Sequence, residues 1–376
     1  MSPRPAFVRF LVLLCVAAAA GLAAASAAQA DMPRVGCDDA LLQAGGPSRP
    51  PACWRPYADS SPFNQLIPAS PRLMAESDAM VQTMMGFGRM QHLEAGNGGG
   101  SSDYNRPVYF SRPSDPVFTI TCTRSVDWGR CPVEGHQVRI PEEARPAGNS
   151  DAHLVVINPQ TGMEYDFWQV QSKPSGGGTL IVSWGDRLSA GGDGTGVGST
   201  ATGGGVGVHA GLIRVEELKA GRIDHALAMA IKCTNGKYVY PAIKTDSQCD
   251  SGTAPPMGAR LQFDLSETEI DRLAVPEWKK TILHALRRYG AYVIDSGGTN
   301  AVMLESEQGH SVYGDANPLV DFFKLNNANF WEPDQRWVLN LNRNVDWQQH
   351  LRVIDPCVAQ RTCDESAPVR RGKRAA

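Results

Sequence analysis

The stretch Asp151-Ala-His-Leu-Val-Val-Ile-Asn-Pro-Gln-Thr-Gly-Met-Glu-Tyr-Asp-Phe-Trp-Gln169 decides the fold. Its centre is turn chemistry: Pro159 is pre-set for the second position of a type I turn, and Gly162 tolerates the left-handed backbone that returns a four-residue loop to its ladder. Pairing Asn158 with Met163 then sets Val156 against Tyr165 and Leu154 against Phe167, and with Met163 these form an apolar face. The other face receives His153, Val155 and Ile157 opposite Trp168, Asp166 and Glu164. A slip of one residue would scatter this polar set over both faces, so every functional reading hangs on the turn.

Outward from the hairpin the pattern is strand after strand. Val108–Ser111, Val117–Thr121, Gln137–Ile140 and Thr179–Trp184 are short apolar runs bounded by Gly and Pro. They predict a mainly β protein, an antiparallel β-sandwich or jelly roll with a few peripheral helices. The helical spacings are Leu73–Met85, Leu212–Ala220 stopped by Gly221, Pro318–Leu325 and, most clearly, Val275–Gly290. In the last of these Trp278, Ile282, Ala285, Leu286 and Tyr289 make one stripe. Arg222–Lys232 reads as a buried strand carrying His225, and Tyr238–Ala242 as its continuation in the sheet. Trp337–Leu341 is apolar without a clear period.

The organisation expected along the chain is a signal peptide over 1–30, a disulfide-stapled strap and helix over 31–106, the β-sandwich over 107–345, and an extension over 346–376 with a basic tail. Arg4 and Arg9, the apolar run from Phe10 and Ala28-Gln29-Ala30 have the pattern of an export signal. No later run is long and apolar enough to span a bilayer. The expected location is secreted or periplasmic. Of 9 cysteines, removal of Cys15 leaves four local pairs, Cys37 with Cys53, Cys122 with Cys131, Cys233 with Cys249 and Cys357 with Cys363. In an oxidising compartment that spacing reads as four bridges, and none has the spacing of a zinc knuckle. A formal net charge of -3 offers no basic field, which argues against a nucleic-acid partner. Nothing in the sequence sets an oligomeric state.

The glycine-dense segment from Gly185 to Val208 is a long loop of the kind that is functional or mobile. It lacks the Gly-Lys-Ser/Thr of a phosphate loop. His209 follows it and would move with it onto a ligand. Asp295, before Ser296-Gly297-Gly298, reads as a turn residue.

The hairpin stretch, with Gly211-Leu-Ile-Arg-Val-Glu-Glu-Leu-Lys-Ala-Gly-Arg-Ile-Asp-His-Ala-Leu227, Pro256-Met-Gly-Ala-Arg-Leu261 and Leu286-Arg-Arg-Tyr-Gly-Ala-Tyr-Val-Ile-Asp-Ser-Gly-Gly298, resembles a family of uncharacterised secreted bacterial proteins. The resemblance runs from Asn149 to Gly298. It implies a histidine, an acidic residue and a histidine at His153, Asp166 and His225, and brings no activity with it. Where relatives end the central strand with an acid this chain has Gln169, which speaks against a proton-transfer role there.

Asp166 and Glu164, two apart on a strand, lie about 6 to 7 Å apart on one face, a separation suited to two carboxylates acting on a glycosidic bond. Trp168 and Trp184 would offer platforms for sugar rings. The leading expectation is a secreted glycoside hydrolase of polysaccharides, with Asp166 and Glu164 as acid and base or nucleophile and His153 and His225 assisting proton transfer. A polysaccharide lyase is the first alternative, with His153 or His225 as base and Tyr240 or Arg187 assisting. A non-catalytic carbohydrate-binding or cell-surface protein is the second. No cofactor is required; a divalent metal held by His153, Asp166 and His225 is the minor variant.

Overall fold

The computed structural model describes residues 54–90, 92–96, 106–125, 130–196, 201–246, 251–297, 301–304, 317–332 and 335–363. The signal peptide, the Cys37–Cys53 bridge, Cys249 and the basic tail lie outside them, as does most of the loop from Gly96 to Ser102. All described residues belong to one compact unit, Arg34–Ala376.

In chain order the strands are β1 (Arg89–Met90), β2 (Leu93–Gly96), β3 (Val108–Phe110), β4 (Val117–Cys122), β5 (Gln137–Arg139), β6 (Leu154–Asn158), β7 (Met163–Ser172), β8 (Gly178–Ser189), β9 (Leu227–Ile231), β10 (Arg260–Phe263), β11 (Ala291–Ser296), β12 (Ala301–Leu304), β13 (Asn329–Trp331), β14 (Arg336–Leu339) and β15 (Leu351–Ile354). The helices are α1 (Ser77–Phe87), α2 (Val215–Ala220), α3 (Glu267–Arg272), α4 (Glu277–Arg288), α5 (Pro318–Leu325), α6 (Trp347–His350) and α7 (Cys357–Gln360). The protein is mainly β with peripheral helices, as its strand pattern predicts. Three sheets are formed, ordered β3-β6-β7-β8-β4-β5, β1-β12-β9-β11-β10-β15 and β13-β14-β2. Pairing is mixed, because β3 runs parallel to β6, β4 to β8, β1 to β12 and β11 to β9. Those crossovers join strands far apart in sequence, which local alternation does not encode.

The central hairpin has the predicted register: Asn158 faces Met163, Val156 faces Tyr165 and Leu154 faces Phe167. Asn158 Oδ1 accepts the N–H groups of Gln160 (3.0 Å) and Thr161 (3.1 Å), and Gly162 is left-handed at φ 65. That Asx-type closure fixes which face each later residue takes. Strand β8 runs five residues past Trp184, to Ser189, because Gly185 continues the ladder where its composition suggested a loop.

One face of the first sheet buries Leu154, Val156, Phe167, Leu180, Phe118, Ile120 and Val138 together with Val133 and Ile140. On the second sheet α4 lays its predicted stripe of Trp278, Ile282, Ala285 and Leu286 into a core with Leu261, Phe263 and Val293. Each fully buried large apolar side chain there stabilises the fold by about 1.5–3 kcal/mol. Between the two large sheets lies a middle layer. Trp54, Tyr57 and Phe63 of the N-terminal strap pack there with Val206, Val208, Ala210 and Leu212 against Val155, Ile157 and Leu188 on one side and Ala228, Tyr292 and Ile294 on the other.

Three expectations are corrected and one open segment is assigned. The strand from Arg222 begins only at Leu227, leaving His225 ahead of it. Tyr238–Ala242 is turn and loop, with one bridge from Tyr238 to Met257. Trp337 lies in strand β14. Asp295 lies in strand β11 and not in a turn. Disulfides Cys122–Cys131 and Cys357–Cys363 are present, and Cys233 is disulfide-bonded. Among the described residues no helix is long and apolar enough to cross a membrane.

Candidate functional site

Alternation on β7 and β8 places Glu164, Asp166, Asp186 and Leu188 on the face that meets the middle layer, with Asp166 directly opposite Asp186. Glu164, Asp166 and Asp186 are all at 0% exposure. The polar face of the hairpin is therefore a covered layer, not an open floor. Two segments from elsewhere cover it. The Tyr57 hydroxyl of the strap donates to Glu164 Oε2 at 3.0 Å. The backbone N–H of Val208 donates to Asp166 Oδ2 at 2.8 Å, and that of His209 to Glu164 Oε1 at 3.2 Å. Glycine at 207 is what lets this segment approach: a Cβ there would lie 2.2 Å from the Tyr57 hydroxyl and 3.0 Å from Glu164 Oε1.

Three acids in one water-poor space do not all ionise. Burial pushes Glu164 up, hydrogen bonds from Asp166, His209 and Tyr57 pull it back, and the charge of Asp186 pushes again, leaving it at about 7. Burial and the Glu164 charge raise Asp166 well above the carboxylate range. The two side chains act on each other in opposite senses, Asp166 lowering Glu164 and Glu164 raising Asp166, so the proton affinity of the pair falls mainly on Asp166. Burial and the two carboxylates hold the Tyr57 phenol well above its ordinary value, so it stays a donor. This is a proton-holding carboxyl pair with a fixed set of donors.

The other predicted residues lie elsewhere. His153 is buried, its ring bonded to the Phe167 carbonyl and facing the positive charge of Arg106; burial first, then Arg106, lowers its basicity well below the ordinary histidine value. His225 is part of a buried triad: its Nε2 meets Glu217 Oε1 at 2.9 Å, and Arg214 Nη2 reaches the same oxygen at 2.8 Å. Burial opposes ionisation of Glu217, but Arg214 and His225 outweigh it and hold it at about 2. His209 stacks on Trp54 at 5.4 Å, and Arg214 lies over that indole at 5.2 Å. His153, Asp166 and His225 are thus not gathered, and among the described residues no three His, Cys, Asp or Glu side chains are grouped to hold a metal.

Trp184 is buried in the apolar cluster with Phe167, and Trp168 packs partly on that cluster while its Nε1 donates to Asp151 at 3.2 Å. Although Trp168 pairs with Trp184 two positions beyond Asp166 and Asp186, both indoles pack with the apolar cluster and not with the carboxylates. Arg187 pairs with Tyr165 and shares its face, opposite Asp186. Tyr240 packs against the middle layer, half-buried.

Sequence reasoning missed Tyr57 and Asp186. Extending the β8 alternation through Gly185 would have found Asp186; no local signal marks Tyr57, which is 107 residues from Glu164. It also missed a neighbouring polar group, in which Arg106 Nη2 bonds Asp295 Oδ2 at 3.2 Å, Asp295 Oδ1 accepts from Gly203 N–H at 3.2 Å, and half-buried Lys244 feels the charges of Asp295, Asp246 and Asp186. Comparison with protein-family models, curated proteins and solved structures finds no match for this chain.

Proposed function

We propose that the protein is a secreted hydrolase acting on a glycan, with Glu164 and Asp166 as its acid–base pair and Asp186 raising their proton affinity. The observation that carries the reading is the fully buried carboxyl pair on one face of the hairpin, met by fixed donors from Tyr57, Val208 and His209, with burial pushing Glu164 up to about 7. Such a pair is poised to give and take a proton at working pH. Direct contact is closer than the roughly 5 Å between the carboxyls of retaining glycosidases, so the pair suits activation of water better than a glycosyl-enzyme route. The pair is covered by Tyr57 and residues 207–209, so substrate access requires that cover to open.

The glycan part of the reading is supported by aromatic surface at β13: Trp331 is 54% exposed and Phe330 37%, with Phe330 tilted on Trp337 at 4.9 Å. Exposed rings of this kind stack on sugars. The elimination chemistry has less support, since His225 is committed to Glu217 and His153 is held beside Arg106 away from the pair. A non-catalytic role is favoured by one observation, the complete burial and hydrogen bonding of the carboxyls. A polysaccharide panel at pH 5 to 8, read by product mass, decides between them. Products that disappear in Glu164→Gln and Asp166→Asn support hydrolysis at this pair; products undiminished in both variants remove it from the reaction.

A further inference from the structure

The two carboxyls of the pair are not equivalent. Glu164 is a convergence point for donors: Tyr57 Oη–H at 3.0 Å, His209 N–H at 3.2 Å, and the proton it shares with Asp166. Asp166 receives one N–H, from Val208, on Oδ2. Its Oδ1 is buried and accepts from no N–H or O–H donor. A buried acceptor left empty is costly, whereas the same oxygen carrying a proton becomes a donor. A carboxylate with three donors is the better place for negative charge.

Tyr57 is the element that makes this asymmetry, and its position is built by more than one feature. It is a non-glycine residue in the left-handed region, at φ 69, a conformation unfavourable for a side-chain-bearing residue that persists only where the surroundings hold it. Its ring lies against Gly194, where a Cβ would come within 2.9 Å of ring carbon Cε2, and its hydroxyl against Gly207. The N–H of Tyr57 donates to Ala190 O at 3.0 Å, and Asn64 Nδ2 holds the strap through Pro56 O at 2.8 Å. A strained backbone, two glycine clearances and a fully used phenol converge on one oxygen of Glu164.

We propose that Tyr57 is the positioning residue of the pair: by donating to Glu164 it fixes Glu164 as the ionised acceptor and leaves the shared proton on Asp166 Oδ1. If the pair is hydrolytic, which rests on the function proposed above, Asp166 is the acid and Glu164 the base. The groups facing the pair are Asp186 from β8, Tyr57 from the strap, backbone N–H groups from the segment 207–209, and the charge of Asp193 acting on Tyr57. None of these offers Asp166 a second donor.

The test is a carboxyl-carbon NMR titration of the full chain, selectively labelled at Asp and Glu, in wild type and Tyr57→Phe, with Asp166→Asn and Glu164→Gln followed by thermal unfolding. At pH 8 the wild type should show Glu164 ionised and Asp166 protonated. Tyr57→Phe should move the Glu164 titration up by about one pH unit, the scale of one lost hydrogen bond to a charge. A merely structural tyrosine would leave that titration in place. Asp166→Asn should remain near wild-type stability, because its amide N–H replaces the proton on Oδ1, while Glu164→Gln should unfold at clearly lower temperature. The assignment is overturned if Asp166 ionises before Glu164, or if Tyr57→Phe moves neither group. Should Tyr57→Phe not fold, a larger stability loss in Asp166→Asn than in Glu164→Gln overturns it as well. These readouts need no substrate, so a failed glycan screen would remove the proposed function and leave the proton assignment standing.

Discussion

Asp166 and Asp186 stand directly opposite each other on β7 and β8, both at 0% exposure. Like charges in that position destabilise a sheet, and burial here raises the proton affinity of the neighbouring Glu164 and Asp166.

Stability should therefore fall as the pair ionises. Glu164 has its affinity raised from the ordinary carboxylate value to about 7. Its contribution is fully present below the unfolded value of about 4.5 and lost as pH rises through about 7. Melting temperature should drop between pH 5 and pH 8, and the slope should flatten in Glu164→Gln. A profile flat over that range in wild type would contradict the buried, proton-holding pair.

The acid side has the opposite sign. Glu217 is held at about 2, so its stabilisation is present above the ordinary value and lost as pH falls from about 4.5 towards 2. Glu217→Ala leaves the buried Arg214 charge uncompensated and should cost about 3–5 kcal/mol. Denaturant unfolding measures it, and a loss below ~1 kcal/mol would show that the triad holds little.

Gly207→Ala and Gly162→Ala form a matched pair. Both introduce a methyl group, but at Gly162 nothing lies within 4 Å and only the backbone at φ 65 resists. At Gly207 the methyl meets the Tyr57 hydroxyl. We expect about 1 kcal/mol at Gly162 and about 1–3 kcal/mol at Gly207, with the Glu164 titration shifted in the second variant alone.

Trp331→Ala should leave melting temperature within about 1 °C, since the ring is half exposed, and should weaken retention on an insoluble polysaccharide that the wild type binds. Unchanged retention would withdraw the aromatic support for a glycan substrate.

What was legible in the sequence was local. Pro159 and Gly162 fixed a register in which Glu164 and Asp166 share a face, and the α4 stripe gave the clearest helix. The chemistry of that face was not legible, because it depends on what covers it. Trp168 and Trp184 look like ligand platforms in a one-dimensional reading, yet both pack with the apolar cluster. His225 looks like a strand residue and belongs to Glu217. Asp186 was hidden by Gly185, whose composition imitates a loop. Tyr57 reaches Glu164 through a contact that no periodicity encodes.

The middle layer also bears on how the chain folds. Residues Trp54 to Phe63, early in the chain, end between the two large sheets, with Arg55 Nη1 bonded to Asp224 O across 169 positions and Tyr57 to Glu164 across 107. The strap has no finished surface to dock on until strands from both sheets exist. Contacts of such sequence separation slow folding. The hairpin can form early from its own turn, but its carboxyls wait uncapped until residues 207–209 arrive, so completion of the sandwich is a late, cooperative event that requires most of the chain.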